Sequence, residues 1–298
     1  MSRIAFLAAA FCIVSITASA QQTTSNTTSG PQTTQAASII QQSIATMTGG
    51  APVTDVTMTG TTTITKSGIL AAVEAASQPT SESGPITLVA TASGKGQNTT
   101  TTGSGTSVTV QDISQLSPVL GVTGKDGVPH TLQTVSALTP HPGWFYPALL
   151  LASGQSSAYA ASYVGHEVWN GEAVEHIAIW RISGSTSDTT ALQRASQHEI
   201  YLDSTTLLPV GITYIAHPYD SRNPGASFDY QRNLPDPVTE VQFSDYRQVQ
   251  GREVPLHIRW TMTVMPFDTA SDLVGDIQIS SATFNTGVIV SVPSSTEN

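Results

Sequence analysis

Short segments in which apolar and polar residues alternate follow one another along most of the chain. The clearest runs from Val254 to Met265 and places on one side Leu256, Ile258, Trp260, Met262 and Val264. Alternation with a period of two is typical of a strand whose two faces meet different surroundings. Many such strands, joined by short turns, predict an antiparallel sheet that curls around a core. The predicted fold class is therefore mainly β with a few helices (α+β).

Further strands and two helices are predicted from the same kind of pattern. The strands cover residues 54–65, 86–92, 106–113, 199–203, 210–216, 239–249 and 276–284, and Gly60 interrupts the first of them as a β-bulge would. Ala36 to Met47 has one apolar helical face and ends at Gly49-Gly50. A second short apolar helix is predicted within residues 140–151, and we expect both helices to lie on the sheet.

A β-hairpin is the strongest local prediction. Tyr163 to Trp169 and Glu172 to Ile182 flank Asn170-Gly171, a pair that tolerates the positive φ angles of a type I′ turn. Such a turn pairs Trp169 with Glu172, Glu167 with Val174, and Gly165 with His176. Because both faces of the hairpin are largely apolar at its far end, we expect it to lie in the middle of a covered sheet.

The N-terminal residues have the pattern of a signal peptide. Arg3 precedes the apolar stretch Ile4 to Ile16, and Ala18-Ser19-Ala20 offers small residues to a signal peptidase. We therefore expect cleavage after Ala20 and export to the periplasm or the extracellular medium. The single cysteine, Cys12, would be removed with this segment. No later apolar run reaches the length of a membrane span, so an integral membrane protein is not expected.

Composition divides the rest of the chain. Residues 21–35 contain only Gln, Thr, Ser, Asn, Gly and Pro, and we expect them to form a disordered leader. Residues 36–290 are predicted to form one domain, followed by a flexible tail at 291–298. No Phe, Trp or Tyr occurs between Gln21 and Gly143, so an aromatic binding site is expected in the second half of the chain.

The charge balance and the motifs exclude several classes of function. With 11 Lys and Arg against 21 Asp and Glu, the chain lacks the excess of cations that nucleic-acid binding requires. It contains no Gly-x-Ser-x-Gly elbow, His-Glu-x-x-His motif, phosphate-binding loop or dinucleotide fingerprint. No catalytic residue, metal site or cofactor is therefore predicted.

One cluster is nevertheless compatible with chemistry. The hairpin register places Glu167, Glu172 and His176 on one face, where they would suit a metal ion or acid–base catalysis by a hydrolase. An ion-paired strand face is the simpler interpretation, and we prefer it. His166 and Glu175 are expected to form a structural pair across the same hairpin.

Three segments in order resemble the later strands of the outer-membrane lipoprotein carrier superfamily, the LolA-like proteins. They are GHEVWNGEAVEHIAIW (165–180), EIYLDSTTLLPVGITY (199–214) and VTEVQFSDYRQVQGREVPLHIRW (238–260). The resemblance implies an unclosed antiparallel half-barrel whose concave face is covered by helices. It also implies a hydrophobic cavity of the kind that holds acyl chains in this family. The Thr-rich segment from Ser93 to Ser107 departs from the family, because it is unusual for the wall of such a cavity.

These observations favour an exported, non-enzymatic carrier or binding protein for a lipid or another apolar ligand. The aromatic residues that would line its pocket are Trp169, Trp180, Phe243 and Trp260, for which ordinary core packing is the alternative. An alternative function is a structural or surface-interaction protein with no small-molecule ligand, in which plain Thr-rich strands serve adhesion. The sequence predicts neither the identity of the ligand nor any protein partner.

Overall fold

A computed structural model of the protein describes residues 31–68, 79–113, 119–123, 129–133, 143–182, 193–194, 196–215, 238–264 and 271–291. The predicted signal peptide, residues 21–30 of the predicted leader and residues 292–298 of the predicted tail lie outside these ranges.

The described residues contain thirteen antiparallel strands, which form one sheet. They are β1 (Asp55–Lys66), β2 (Thr80–Thr91), β3 (Lys95–Thr102), β4 (Gly105–Asp112), β5 (Val119–Thr123), β6 (Pro129–Gln133), β7 (Tyr159–Trp169), β8 (Glu172–Arg181), β9 (His198–Asp203), β10 (Pro209–Ile215), β11 (Val238–Val249), β12 (Arg252–Val264) and β13 (Ser271–Phe284). Their order is β6-β5-β4-β3-β2-β1-β13-β12-β11-β10-β9-β8-β7. Two meanders are thus joined where the last strand pairs with the first. The predicted class, an α+β fold with an unclosed antiparallel half-barrel, is confirmed.

Among the described residues, two helices cover one face of this sheet, α1 (Pro31–Thr48) and α2 (Pro147–Ser153). The apolar face predicted for α1 is confirmed, since Ile40 and Met47 are fully buried and Ile39 and Ile44 pack against the core. The helix begins at Pro31, so residues 31–35 are helical and not part of a disordered leader, which corrects that boundary. Proline suits the first turn because its fixed φ is helical and no hydrogen bond is required of its nitrogen.

The face of the sheet that packs against the helices is called the inner face here, and the opposite one the outer face. Inner-face side chains from both meanders join the helices in one core, to which they contribute Val56, Met58, Ile86, Leu88, Ile177, Ile179, Ile200, Leu202, Ile212, Val241, Phe243, Ile258, Ile277 and Ile279. On the outer face, Val89 and Val110 form a separate small cluster with Val290 of the C-terminal segment. The helix-covered core therefore depends on both halves of the chain.

The hairpin has the predicted register but not the predicted position. Asn170 and Gly171 have φ angles of 49° and 89°, and the three predicted pairs are all present. However, β7 pairs only with β8 and forms one edge of the described sheet, with Val168 73% exposed. The expectation of a central position was wrong because the apolar residues of this edge strand are partly covered by α1 and not by another strand.

Asp55 fastens the C-terminal segment to the start of β1. Its side chain is buried and accepts hydrogen bonds from the Thr286 backbone (2.8 Å) and hydroxyl (2.9 Å), and from the Gly287 backbone (3.1 Å). Thr54 donates a further bond from its hydroxyl, at 3.0 Å. This arrangement holds Val290 over the outer-face cluster.

Candidate functional site

The four aromatic residues predicted to line a pocket lie on opposite faces of the sheet. Side chains of directly paired residues in neighbouring strands share a face. The strand pairings across β8, β9 and β10 place Gln242 of β11 on the same face of the sheet as Trp169. Phe243 is the residue after Gln242. Because neighbouring residues in a strand point to opposite sides, Phe243 lies on the other face from Trp169. The four residues therefore do not form one pocket.

Trp169 and Trp180 belong to the outer face. The Trp169 ring stacks on Tyr201, with centroids 4.6 Å apart and planes inclined by 10°. It also covers Gly211, where a Cβ atom would overlap with the indole. Trp180 is 9% exposed. Both tryptophans thus have roles in packing the outer face.

Phe243 and Trp260 belong to the inner face. Phe243 is buried in the main core and is paired with Ile258. Trp260 is half-buried, and its indole covers Gly275 of β13, where a Cβ atom would overlap with the ring. Of the four, Trp260 is the one that reaches the border of the core on the inner face.

Half-buried apolar side chains continue from Trp260 across three strands. Met262 pairs with Leu273, Trp260 with Gly275, and Gly275 in turn with Ile64 of β1. All four apolar side chains are half-buried. We call them the apolar row, defined as Ile64, Trp260, Met262 and Leu273. Such partly exposed residues on a concave face retain apolar surface for a ligand.

The apolar row adjoins an open cavity of about 260 Å³ on the inner face of the first meander. Ile64 belongs to both. The remaining lining residues are mostly polar and are contributed by the ends of β1 to β4: Lys66, Thr80, Glu82, Asn98, Thr100, Thr102, Ser104, Gly105, Thr106, Ser107 and Thr109. The cavity is therefore walled mainly by hydroxyl groups, with one amide and two opposite charges.

Glu82 is held in place within this wall. Its Oε2 accepts hydrogen bonds from the hydroxyls of Thr102 and Ser104, both at 2.5 Å. Thr100 donates to the amide oxygen of Asn98 at 3.2 Å. Side chains fixed by such bonds present donors and acceptors in defined directions, which is the property that a binding site for a polar group needs.

The polar cavity was missed by the sequence interpretation. The Thr-rich segment from Ser93 to Ser107 was expected to be unsuited to a cavity wall, yet it forms β3, the following turn and the start of β4, and lines the cavity. The available signal was the alternation itself, since Asn98, Thr100 and Thr102 recur every second residue. Because this segment has polar residues on both faces, the alternation did not indicate which face lines a cavity.

His176 lies between two carboxylates on the outer face. Its Nε2 lies 2.8 Å from Glu199 Oε2 and forms a hydrogen bond. Its Nδ1 lies 2.9 Å from Glu167 Oε1, but the angles at this contact do not fit a hydrogen bond. The predicted contact with Glu167 is present, whereas Glu199, and not Glu172, supplies the second carboxylate. Among the described residues, no three His, Cys, Asp or Glu side chains are arranged to hold a metal ion.

His166 and Glu175 form the predicted pair across the hairpin. Nδ1 of His166 is 3.1 Å from Glu175 Oε1, and Tyr163 donates its hydroxyl to Glu175 Oε2 at 2.6 Å. Two effects raise the pKa of Tyr163 to about 12: burial, which is the larger, and the hydrogen bond to the Glu175 carboxylate. The hydroxyl thus stays protonated and serves to fix Glu175.

Within the part of the chain that the structure describes, none of the helices has the length and apolar character needed to cross a membrane. No protein-family model matches the sequence, and no curated protein matches it either.

Solved structures with a similar fold are known at low sequence identity. One is an outer membrane lipoprotein-sorting protein domain from Vibrio parahaemolyticus, 12% identical, covering 86% of this chain and 95% of that chain at a TM-score of 0.48. A LolA superfamily protein from Nitrosomonas europaea is 12% identical and covers 84% and 93% of the two chains at a TM-score of 0.47. A DUF1329 family protein from Desulfovibrio piger is 11% identical and covers 87% and 95% at a TM-score of 0.45. These neighbours include the family that the sequence segments resemble, and the likeness is one of fold alone.

Proposed function

We propose that this protein is an exported carrier that binds a lipid or another amphiphile on the inner face of its half-barrel and catalyses no reaction on it. The observation that carries the proposal is the continuity of the apolar row with the polar cavity. An amphiphile has the same two parts, an apolar tail and a polar end. Export rests on the pattern of the first twenty residues.

Burial of apolar surface supplies the binding energy in this proposal. Full burial of a Leu, Met or Ile side chain is worth roughly 1.5–3 kcal/mol, so covering four half-buried side chains would contribute several kcal/mol. The row lies beside the packed core, which keeps it in place before the ligand arrives. A preorganised surface of this kind loses little conformational entropy on binding.

The first experiment is native mass spectrometry and lipid extraction of the full-length protein purified from the periplasmic fraction. We expect a bound species that adds mass under gentle conditions and is recovered in the organic extract. A protein that stays empty, and that also fails to bind a pyrene-labelled acylglycerol, would contradict the proposal and favour the structural alternative.

Two adjacent residues of β12 provide a matched pair of variants. Met262 lies in the apolar row, and Thr261 lies on the outer face of the same strand. Met262→Asn places an amide against the tail and should weaken acylglycerol binding roughly tenfold or more. Thr261→Asn should bind as the unmodified protein does. Equal affinity of both variants would show that the tail does not lie on the row.

A further inference from the structure

The chemistry of the polar cavity restricts the kind of amphiphile that fits. Its lining contains seven Thr and Ser side chains, the amide of Asn98, and one group of each charge, Lys66 and Glu82. The two charges cancel, so the cavity has no net charge among its lining residues. A charged end group of either sign would meet one side chain of opposite charge and one of like charge, so the wall favours neither sign.

Hydroxyl groups on the wall match hydroxyl groups on a ligand. Each Thr or Ser hydroxyl donates one hydrogen bond and accepts others, and an amide does both. A fixed carboxylate accepts from ligand hydroxyls in charge-assisted bonds, which are the stronger kind. The bonds from Thr102 and Ser104 hold Glu82 in one orientation for this role.

We propose that the ligand carries an uncharged head group with several hydroxyls, such as a sugar, which the polar cavity binds while the apolar tail lies along the apolar row. This inference rests on the proposed carrier function and names its ligand class. The juxtaposition that supports it is the contact of both regions at Ile64, which belongs to the row and lines the cavity.

The test compares three probes with the same dodecyl tail and different head groups: dodecyl maltoside, dodecyl phosphate and dodecyltrimethylammonium. Binding to the full-length protein is measured by calorimetry below the micelle concentration of each probe, and circular dichroism verifies that the protein stays folded. We expect the maltoside to bind at least tenfold more tightly than either charged probe.

Variants locate the head group. Glu82→Gln and Thr109→Val change the cavity wall, and each should weaken maltoside binding roughly three- to tenfold, the loss typical of one hydrogen bond. Thr61→Val is the matched control, because Thr61 is exposed on the outer face of β1. It should leave maltoside binding unchanged.

The outcomes separate this inference from the proposed function. If a charged probe binds as tightly as the maltoside, or if the cavity variants bind like Thr61→Val, the head-group inference is overturned and the carrier function stands. If none of the three probes binds, the carrier function is contradicted and the inference with it.

Discussion

Asp55 is a buried carboxylate whose hydrogen bonds decide its charge. Burial alone would raise its pKa, but the bonds from Thr286, Gly287 and Thr54 together outweigh that effect and lower the pKa below its ordinary value of 3.8. The folded protein therefore favours the ionised form. The stabilisation that ionised Asp55 contributes to the folded state is fully present above the pKa that this group has in the unfolded state. It is lost as the pH falls through the pKa of the folded state.

We expect Asp55→Asn to lower the free energy of unfolding by about 1.5–3 kcal/mol at neutral pH, because an amide accepts these bonds less well. Urea denaturation measures the loss. Asp245→Asn is the control, since Asp245 is exposed and its ion pair among the described residues is with Arg247, two residues away. A loss of the same size in both variants, or a loss that persists at a pH where Asp55 is protonated, would contradict this role.

His198 also makes stability fall as the pH decreases, but over a higher range of pH. Burial lowers its pKa from 6.5 to about 4, while its Nδ1 faces the carbonyl of Ser196 at 2.9 Å and its ring stacks on Tyr214. The folded state thus favours the neutral ring. The unfolded state binds more protons between these two pKa values, so stability falls as the pH decreases from 6.5 towards 4.

We expect His198→Phe to flatten this part of the stability profile, because the phenyl ring keeps the stacking and cannot titrate. The unmodified protein should lose about 2–3 kcal/mol more unfolding free energy than this variant between pH 6.5 and pH 4. Urea denaturation at a series of pH values measures it. An unchanged slope in His198→Phe would exclude His198 as its source.

Two glycines in the second meander show how packing between strands positions the tryptophans. Gly275 of β13 accommodates Trp260 on the inner face, and Gly211 of β10 accommodates Trp169 on the outer face. In each case a methyl group would displace the ring. A glycine-to-alanine substitution can therefore displace a tryptophan ring on either face of the same sheet.

We expect Gly275→Ala to weaken binding of the pyrene-labelled acylglycerol several-fold, because it moves Trp260 out of the apolar row. Gly211→Ala should cost about 1–3 kcal/mol of stability through overpacking and leave the affinity unchanged. Denaturation and fluorescence titration on both variants separate the two effects. If Gly211→Ala lowers the affinity as much as Gly275→Ala, the loss comes from general destabilisation and not from the row.

Local elements could be predicted where the signal lies in adjacent residues. Asn170-Gly171 determines the hairpin register, and the bulge at Gly60 is also where the sequence indicates it. Strand β3 was missed because its Thr-rich sequence has polar residues on both faces. Strands β5 and β6 were not predicted either.

Long-range features were harder to predict, because alternation assigns residues to two faces without saying which face is covered. Trp169 and Trp180 lie on the same face of the hairpin. Relating them to Phe243 required the pairing of three further strands, β9 to β11, which no local pattern contains. The position of β7 at an edge depends likewise on the whole sheet order.

The molecule as a whole uses the two faces of its sheet differently. The inner face holds the helix-covered core, the apolar row and the polar cavity, whereas the outer face of the first meander has hydroxyl pairs such as Thr63 with Ser83 and Thr65 with Ser81, both 2.8 Å apart. Among the described residues, it is the inner face that combines apolar surface with a cavity. A carrier built on this sheet should therefore hold its ligand there and nowhere else on the described surface.

The most direct measurement is quenching of tryptophan fluorescence by an acylglycerol with a brominated tail, because bromine quenches only rings that it nearly touches. The chain has four tryptophans, and of these Trp260 lies in the apolar row while Trp169 lies on the outer face. We expect saturable quenching that disappears in Trp260→Phe and persists in Trp169→Phe. Quenching that survives in Trp260→Phe and is lost in Trp169→Phe would place the tail on the outer face and contradict binding on the inner one.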